Sequence, residues 1–216
     1  RIMQNIIVAD NQDITRAGMI YVLSKMKGIS CDIAGSKAEL IRLLSGCPEA
    51  IVILDYTLFD ISSESDLLII GQRFPLSHLI LWSEELSADF IRNLVNASSR
   101  ISVLMKDAKM IEIEQCLDYV LRGQRFLCQH ATNILLEPKL TQEKESVNLT
   151  KTEVEILKEI AVGLTTREIA EKRFSSFHTV NTHRKNIFRK LGVNNVHEAI
   201  RYAMRSGLVD AAEYYI

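Results

Sequence analysis

The stretch SFHTVNTHRKNIFRKL, residues 176–191, has the pattern of an amphipathic helix with a basic polar face. At 3.6 residues per turn, its apolar side chains fall on one side and its polar side chains on the other. The polar stripe consists of His178, Asn181, Thr182, Lys185 and Arg189. No acidic residue occurs from Lys172 to His197, a window that contains six Lys and Arg residues. A face of one sign suits a polyanion such as DNA, although a charged stripe can also be a simple solvated face.

The residues before this helix predict two shorter helices with defined ends. Thr150 and Thr165 are each followed three residues later by a glutamate, which is the spacing of a capping box. Gly163 supplies a left-handed stop between the two helices, and Ser176 caps the third. Short helices that lead through a tight connection into a basic helix form a helix-turn-helix.

A fourth helix is predicted to begin at Asn195, because Glu198 repeats the capping spacing. The four helices form one small all-α domain. The last helix carries more small and apolar side chains than one helix-turn-helix core needs, namely Ala199, Ala203 and Met204. Its face therefore either pairs with a second copy of the chain or closes its own domain.

These residues resemble the LuxR-type helix-turn-helix domain that ends NarL/FixJ response regulators. The matching motifs are LT at 149–150, EIL at 155–157, IA-x-G at 160–163, REIA at 167–170, TV at 179–180, His183, NI at 186–187 and KLGV at 190–193. The resemblance implies a domain over residues 148–216 that binds double-stranded DNA. It also implies that the fourth helix forms a homodimer on DNA, on half-sites about one helical turn apart.

The predicted DNA-binding surface combines the polar stripe with neighbouring residues of the basic helix. Lysine and asparagine match the acceptor edges of guanine and adenine in the major groove, and threonine offers a hydroxyl and a methyl group. Two positions depart from the family, because Arg173 and Ser175 stand where apolar residues usually pack the turn. A looser turn is therefore expected. The predicted DNA-binding residues are Asn181, Thr182 and Lys185 for base edges, Arg184 and Lys190 for phosphates, and Arg189, Thr179 and His178 beside them.

The first 122 residues alternate short apolar runs with helical patterns. The runs cover 6–9, 31–34, 51–54, 79–82 and 101–105, and the helical patterns cover 14–26, 37–45, 63–73, 85–96 and 109–122. Five such units predict a doubly wound, five-stranded parallel sheet of the flavodoxin-like class. Continuous Ile, Val and Leu in the strands agree, since a parallel sheet is covered on both faces. Residues 123–147 are predicted to be a linker, with a short helix over 131–137.

Polar side chains stand where four of these strands end. Asp10 follows the first strand and Asp55 the third, whereas Ser83 ends the fourth and Lys106 follows the fifth. The functional crevice of such a sheet lies at the carboxyl ends of its strands. Two carboxylates can hold Mg²⁺, and an aspartate can become an aspartyl phosphate beside a lysine and a hydroxyl. Any one of these residues could be polar only because strand ends are exposed to solvent. The four together favour a functional site.

This quartet is similar to the receiver domain of response regulators, over the predicted domain of residues 1–122. The resemblance implies Asp55 as the phosphoacceptor, Ser83 as the hydroxyl that reorients on activation, and Lys106 as the phosphoryl-binding lysine. It places Asp10 in the acidic pocket and implies Mg²⁺ as cofactor and a sensor histidine kinase as partner. The sequence VLMKDA at 103–108 matches the NarL/FixJ subgroup.

Three positions depart from the receiver pattern. Asn11 stands where a second acid usually follows the first strand, Val103 replaces the switch aromatic, and Phe59 replaces a proline. An amide offers a metal one neutral oxygen and no charge, so the predicted ligands are Asp10, Asp55 and, weakly, Asn11. We therefore expect weak Mg²⁺ binding and weak or absent control by phosphorylation, unless the two aspartates suffice for the metal.

Composition fits a two-domain globular protein of 216 residues, with 47% hydrophobic and 25% charged side chains. Residues 148–216 carry 11 basic and 8 acidic side chains, whereas the first 147 carry 15 and 19. No apolar run is long enough for a bilayer and no leader pattern occurs. These absences predict a cytoplasmic protein without a membrane partner.

Enzyme motifs are absent from the sequence. The histidines form no triad with a serine or cysteine at motif spacing, and no glycine-rich phosphate loop occurs. We therefore expect a transcriptional regulator and not an enzyme; the competing class, a small flavodoxin-like enzyme, leaves the basic C-terminal domain without a purpose. The regulator is either phosphorylated at Asp55 by a kinase, or independent of phosphorylation with a receiver used for protein interaction.

Overall fold

The computed structural model describes residues 3–137 and 148–209, which belong to two compact units. The first unit contains a five-stranded sheet in the order β2-β1-β3-β4-β5, in which every neighbouring pair is parallel. The strands are β1 (Gln4–Ala9), β2 (Ile29–Ile33), β3 (Ile51–Leu54), β4 (His78–Ser83) and β5 (Ile101–Met105). The doubly wound parallel sheet predicted from the sequence is therefore confirmed.

Five helices cover the two faces of this sheet, because apolar side chains project from the strands to both sides. The helices are α1 (Asp13–Ser24), α2 (Lys37–Gly46), α3 (Glu64–Arg73), α4 (Ala88–Ala97) and α5 (Met110–Leu121). One core lies beneath α2, α3 and α4 and includes Ile7, Val52 and Leu81. The other lies beneath α1 and α5 and includes Val8 and Ile53. All five strands run in one direction, so their carboxyl ends meet at one edge.

The packed part of the first unit extends past residue 122, where the sequence predicts the receiver to end. The Phe126 amide donates to the Ser102 hydroxyl at 2.9 Å, and Leu127 forms a parallel bridge with Val103. Helix α6 (Gln129–Leu136) then buries Ala131 and Ile134 in the core beneath α4. The first part of the predicted linker, residues 123–137, thus packs on the sheet, whereas residues 138–147 lie outside the described residues.

The second unit consists of four helices with the caps that the sequence predicts. They are α7 (Lys151–Ala161), α8 (Thr166–Lys172), α9 (Phe177–Leu191) and α10 (Val196–Arg205). Thr150 and Thr165 form complete capping boxes, and Ser176 and Asn195 cap the last two helices through their side chains. The all-α helix-turn-helix unit is confirmed. Within the described residues, no helix has the length and apolar character needed to cross a membrane.

The turn between α8 and α9 is held by ion pairs instead of apolar packing. Arg173 Nε donates to Glu159 at 2.6 Å, and another guanidinium nitrogen of Arg173 donates to Glu155 at 3.1 Å. Burial works to raise the pKa of Glu159, but hydrogen bonds from Arg173 and Lys172 outweigh it, so the pKa of this carboxyl is lowered. Arg173 thus ties the end of α8 to α7 through its charge, and the looser turn expected from the sequence stays a prediction.

Helix α10 buries the small residues that were expected to form an exposed face. Ala199 and Ala203 are fully buried in the core of the second unit, where α10 packs against α7, and Met204 is half-buried. The expectation that these alanines are exposed for pairing is wrong. Their methyl groups pack in the core of the second unit, because α10 closes its own domain. This was one of the two alternatives that the sequence left open.

Two helix ends in the second unit use the same turn with different residues. Gly163 has φ +92° after α7, and Phe174 has φ +51° after α8. In each turn the next residue donates back to the carbonyl five positions earlier, which is the Schellman pattern. Phe174 is completely exposed, so no packing within the described residues offsets its left-handed backbone.

We predict that Gly163→Ala lowers the free energy of unfolding by about 1–2 kcal/mol, because an L side chain is strained at this φ. No heavy atom lies within 4 Å of the new Cβ, so strain is the only cost. Phe174→Gly is the matched substitution and is expected to cause no loss, since it relieves the same strain. Urea unfolding followed by far-UV circular dichroism measures both effects. A larger loss for Phe174→Gly than for Gly163→Ala would contradict this account of the turns.

Candidate functional site

The ends of four strands bring Asp10, Asp55, Ser83 and Lys106 together at the carboxyl edge of the sheet. Lys106 Nζ lies 2.8 Å from Asp55 Oδ2 and 3.1 Å from Asp10 Oδ2. The Ser83 hydroxyl donates to Asp55 Oδ1 at 3.1 Å. Three segments that are far apart in the chain thus meet around one ammonium group, as parallel strands with a common direction require.

Hydrogen-bond donors of the protein surround the Asp55 carboxylate. Its Oδ1 accepts from the Ser83 hydroxyl and from the Thr57 amide at 3.0 Å, while its Oδ2 accepts from Lys106. Only 1% of the residue is exposed. Burial raises the pKa of Asp55, and the nearby Lys106 charge works in the opposite direction. The carboxylate therefore depends on Lys106 for its neutralising charge.

Asp10 is enclosed by two residues that the sequence reasoning missed. The backbone amide of Gln12 donates to Asp10 Oδ1 at 2.8 Å, and the Thr15 hydroxyl donates to Oδ2 at 2.6 Å. Both side chains also contact Lys106 Nζ, with Gln12 Oε1 at 2.8 Å and Thr15 Oγ1 at 3.3 Å. Their nearness to Asp10 in sequence was a signal, since Thr15 lies in the first turn of the helix that follows β1.

Asn11 is not part of this cluster. Its side chain is exposed, and its Nδ2 donates to the Leu58 carbonyl at 3.3 Å. The sequence predicted Asn11 as a weak third metal ligand, but the structure does not bring it to the carboxylates, because the loop turns its side chain toward Leu58.

Asp10 and Asp55 are a donor set that can hold Mg²⁺, and in this arrangement the Lys106 ammonium lies between them. This ion needs near-octahedral oxygen ligands and usually keeps several waters. Here the oxygens of Asp10 and Asp55 all accept hydrogen bonds from the protein, and the Lys106 ammonium lies between the two carboxylates. Within residues 3–137 and 148–209, no group of three His, Cys, Asp or Glu side chains is placed to hold a metal. Lys106 supplies the positive charge that an ion would bring.

Val103, which stands where a receiver has its switch aromatic, is locked in the sheet. It is fully buried, its amide donates to the Phe126 carbonyl, and its carbonyl accepts from the Cys128 amide, each at 3.0 Å. Phe59, which replaces the usual proline, is also buried. Both departures are therefore core residues of the first unit.

In the second unit, α9 presents most of the predicted DNA-binding stripe to solvent. Asn181 is half-buried, and the other members are exposed. The Thr182 hydroxyl donates to the His178 carbonyl at 3.0 Å, one helical turn earlier. The exposed members are His178, Thr179, Thr182, Lys185 and Arg189.

Two residues of the predicted DNA-binding set lie elsewhere. Arg184 is buried, its guanidinium lies 5.8 Å from the Phe188 ring centroid, and burial lowers its pKa to about 10. Arg184 follows Val180 by four residues, so the helical period places it on the core side. Lys190 Nζ forms an ion pair with Glu153 Oε2 at 2.7 Å. Arg184 is thus enclosed by its own domain and Lys190 is paired with α7, and the phosphate contacts of both stay predictions.

The chain is similar to known proteins along its length. The model of the luxR family of bacterial regulatory proteins matches residues 147–203. The transcriptional regulatory protein LiaR of Bacillus subtilis is 26% identical, over 96% of this chain and all of the relative. The oxygen regulatory protein NreC of Staphylococcus carnosus is 25% identical, over 95% and 99%. The solved RcsB response regulator of Salmonella typhimurium has the same fold, with a TM-score of 0.55, 20% identity and coverage of 92% and 98%.

A receiver-type sheet with aspartate, serine and lysine at its strand ends, followed by a helix-turn-helix unit, defines the class of response regulators. The fold, the family match and the relatives agree on this class. The chain is similar to NarL/FixJ-type response regulators along its length, and residues 147–203 match the luxR family of bacterial regulatory proteins. It is a DNA-binding transcriptional regulator of the response-regulator type.

We predict that Lys106→Met lowers the free energy of unfolding of the first unit by about 3–5 kcal/mol, because two buried carboxylates lose their cation. Fluorescence of Trp82, the one tryptophan of the chain, reports on the site during urea unfolding, since its ring centroid lies 5.3 Å from Lys106 Nζ. Lys109→Met, at an exposed lysine nearby, is the control and should change stability by less than about 0.5 kcal/mol. Equal effects of the two substitutions would show that the cluster is not desolvated.

Proposed function

We propose that α9 enters the major groove of double-stranded DNA and that Asn181, Thr182 and Lys185 contact base edges. The observation that carries this proposal is the outward stripe of α9, in a window from Lys172 to His197 that contains no acidic residue. A one-signed surface attracts DNA through its phosphates, and side chains in the groove supply specificity.

The neighbours of the stripe have distinct parts in this proposal. Arg189, His178 and Thr179 lie beside the groove and contact the backbone. Arg184 and Lys190 act as positioning residues, because Arg184 is buried on the core side of α9 and Lys190 forms an ion pair with Glu153 of α7. A homodimer on DNA and a cytoplasmic location stay predictions from the sequence and the family.

We further propose that phosphorylation of Asp55 controls this regulator weakly or not at all. Asp55 is 1% exposed, its oxygens already accept hydrogen bonds, and Lys106 already places a positive charge between the two carboxylates. A modification shifts an equilibrium only through its different interaction with two states. Val103, held in the sheet by Phe126 and Cys128, offers no aromatic side chain that could change place.

The second candidate is a regulator that a sensor histidine kinase phosphorylates at Asp55. It is favoured by one observation, which is that Ser83 and Lys106 both contact the Asp55 carboxylate. In either case we propose that the chain acts through binding and not as an enzyme, which accords with a family of DNA-binding regulators.

Lys185→Ala is expected to weaken binding to a preferred DNA site by about 1–3 kcal/mol and to relax specificity at one base position. Fluorescence anisotropy measures this on a site that the full-length protein selects from random DNA, with a shuffled sequence for comparison. Lys158→Ala, at an exposed lysine of α7, is the matched control and should bind as the parent does. If Lys185→Ala binds both DNAs as tightly as the parent, α9 is not the reading helix.

Beryllofluoride with Mg²⁺ is expected to tighten DNA binding by less than tenfold, which corresponds to about 1.4 kcal/mol. Asp55→Asn should retain most of the DNA affinity, because phosphorylation of the enclosed Asp55 is expected to add little to that affinity. Asn11→Asp, which returns an acid to the loop, should increase the response. A tightening of tenfold or more that disappears in Asp55→Asn would establish the second candidate instead.

A further inference from the structure

The first unit contains a cavity of about 430 Å³ at the end of the sheet opposite Asp55. Its walls come from α2, α3 and the starts of β3, β4 and β5, and its rim from the segment that follows α4. The cavity shares no residue with the Lys106 cluster. Volumes of this size are typical of small-molecule sites, which are concave and mostly apolar with a few polar groups.

The floor of the cavity is apolar and only partly open to solvent. Val52, Leu44 and Leu67 are buried in the core, whereas Leu68 of α3 and Leu79, on the second strand from the edge, keep part of their surface exposed. A strand so deep in a parallel sheet is normally covered on both faces. The helices of this face therefore leave apolar surface that a ligand can cover. At the mouth, Gly71 of α3 contributes no side chain, and a Cβ built there meets no atom within 4 Å.

The rim carries one positive charge without a carboxylate partner. Among the described residues that line the cavity, Arg100 is the only charged one. One guanidinium nitrogen of Arg100 donates to the Leu76 carbonyl at 3.1 Å, and no ion pair joins Arg100 to a described residue. The guanidinium has five N–H donors, so most of them remain available to a ligand.

The surroundings of Arg100 are positive as well. Arg125 donates to the Val95 carbonyl at 2.9 Å and forms no ion pair with a described residue. Burial, followed by the charges of Arg100 and Arg125, lowers the pKa of His78 to about 4, so this histidine is neutral at pH 7. The partly open apolar floor thus ends at a rim whose uncompensated charge suits an anion.

We propose that this cavity binds a small apolar carboxylate. Its hydrocarbon part lies against Leu68 and Leu79, which are partly exposed in the cavity, and its carboxylate accepts hydrogen bonds from Arg100. A planar guanidinium can hold a carboxylate through two parallel hydrogen bonds, which fixes the orientation of the ligand. The site is independent of Asp55 and of the proposed response to phosphorylation, so it gives the first unit a separate means of sensing a metabolite of this class.

Octanoate and 1-octanol test the proposal, because they share a hydrocarbon chain and differ in charge. Isothermal titration calorimetry on the full-length protein should show binding of octanoate, and acetate, which has the charge without the chain, should not bind. Gly71→Leu should weaken the binding of both octyl compounds by about tenfold or more, since its side chain fills the mouth. Arg100→Gln should weaken octanoate by about fivefold and leave 1-octanol unchanged.

The controls separate a blocked cavity from a damaged fold. Gly71→Ala adds a methyl group that leaves the mouth open, so it should bind octanoate as the parent does. Gly18→Leu, on exposed α1, makes the same exchange outside the cavity, at another helical glycine with open space around its Cβ. The proposal is overturned if the parent binds no octanoate below its micelle concentration, or if Gly71→Leu binds as tightly as the parent. It is also overturned if Arg100→Gln weakens both octyl compounds equally.

Discussion

The Lys106 ammonium group, held between the buried carboxylates of Asp10 and Asp55, is the interaction on which the functional edge of the first unit depends. A charge taken out of water is costly unless it is paired and hydrogen-bonded. The three groups follow β1, β3 and β5, so the parallel register of the sheet sets their distances. Gln12 and Thr15 complete the hydrogen bonding, and the cluster is thereby satisfied by the protein alone.

The two ends of this sheet differ in how completely their polar groups have hydrogen-bond and charge partners within the protein. At the carboxyl end every carboxylate oxygen has a donor, and the cluster is closed to solvent. At the amino end Leu68 and Leu79 keep part of their apolar surface exposed, and Arg100 has no carboxylate partner among the described residues. Exposed apolar surface beside an uncompensated charge is typical of a binding site. A closed and internally hydrogen-bonded cluster has the opposite character, which is why we propose sensing at the amino end.

The second unit places a basic helix with one face toward solvent. Capping boxes fix where α7 and α8 begin, and the ion pairs of Arg173 with Glu155 and Glu159 replace the apolar packing that the family uses in the turn. On α9 itself, Arg184 is buried on the core side beside Phe188 of the same helix, and Lys190 forms an ion pair with Glu153 of α7. The positive charge left on the outer face therefore comes from fewer residues than the composition of the helix indicates.

The sequence by itself determined the elements of both units and most of the residues at their sites. Apolar runs located the strands, capping spacings located the helices of the second unit, and parallel strand ends required Asp55 and Lys106 to converge. These features depend on local periodicity and backbone hydrogen bonding, which a single segment carries. Only the tertiary structure decided that Gln12 contacts Lys106, that Arg184 is buried and that Ala199 packs in the core of the second unit. Each of these depends on how close a distant segment approaches, and packing of the whole domain sets that distance.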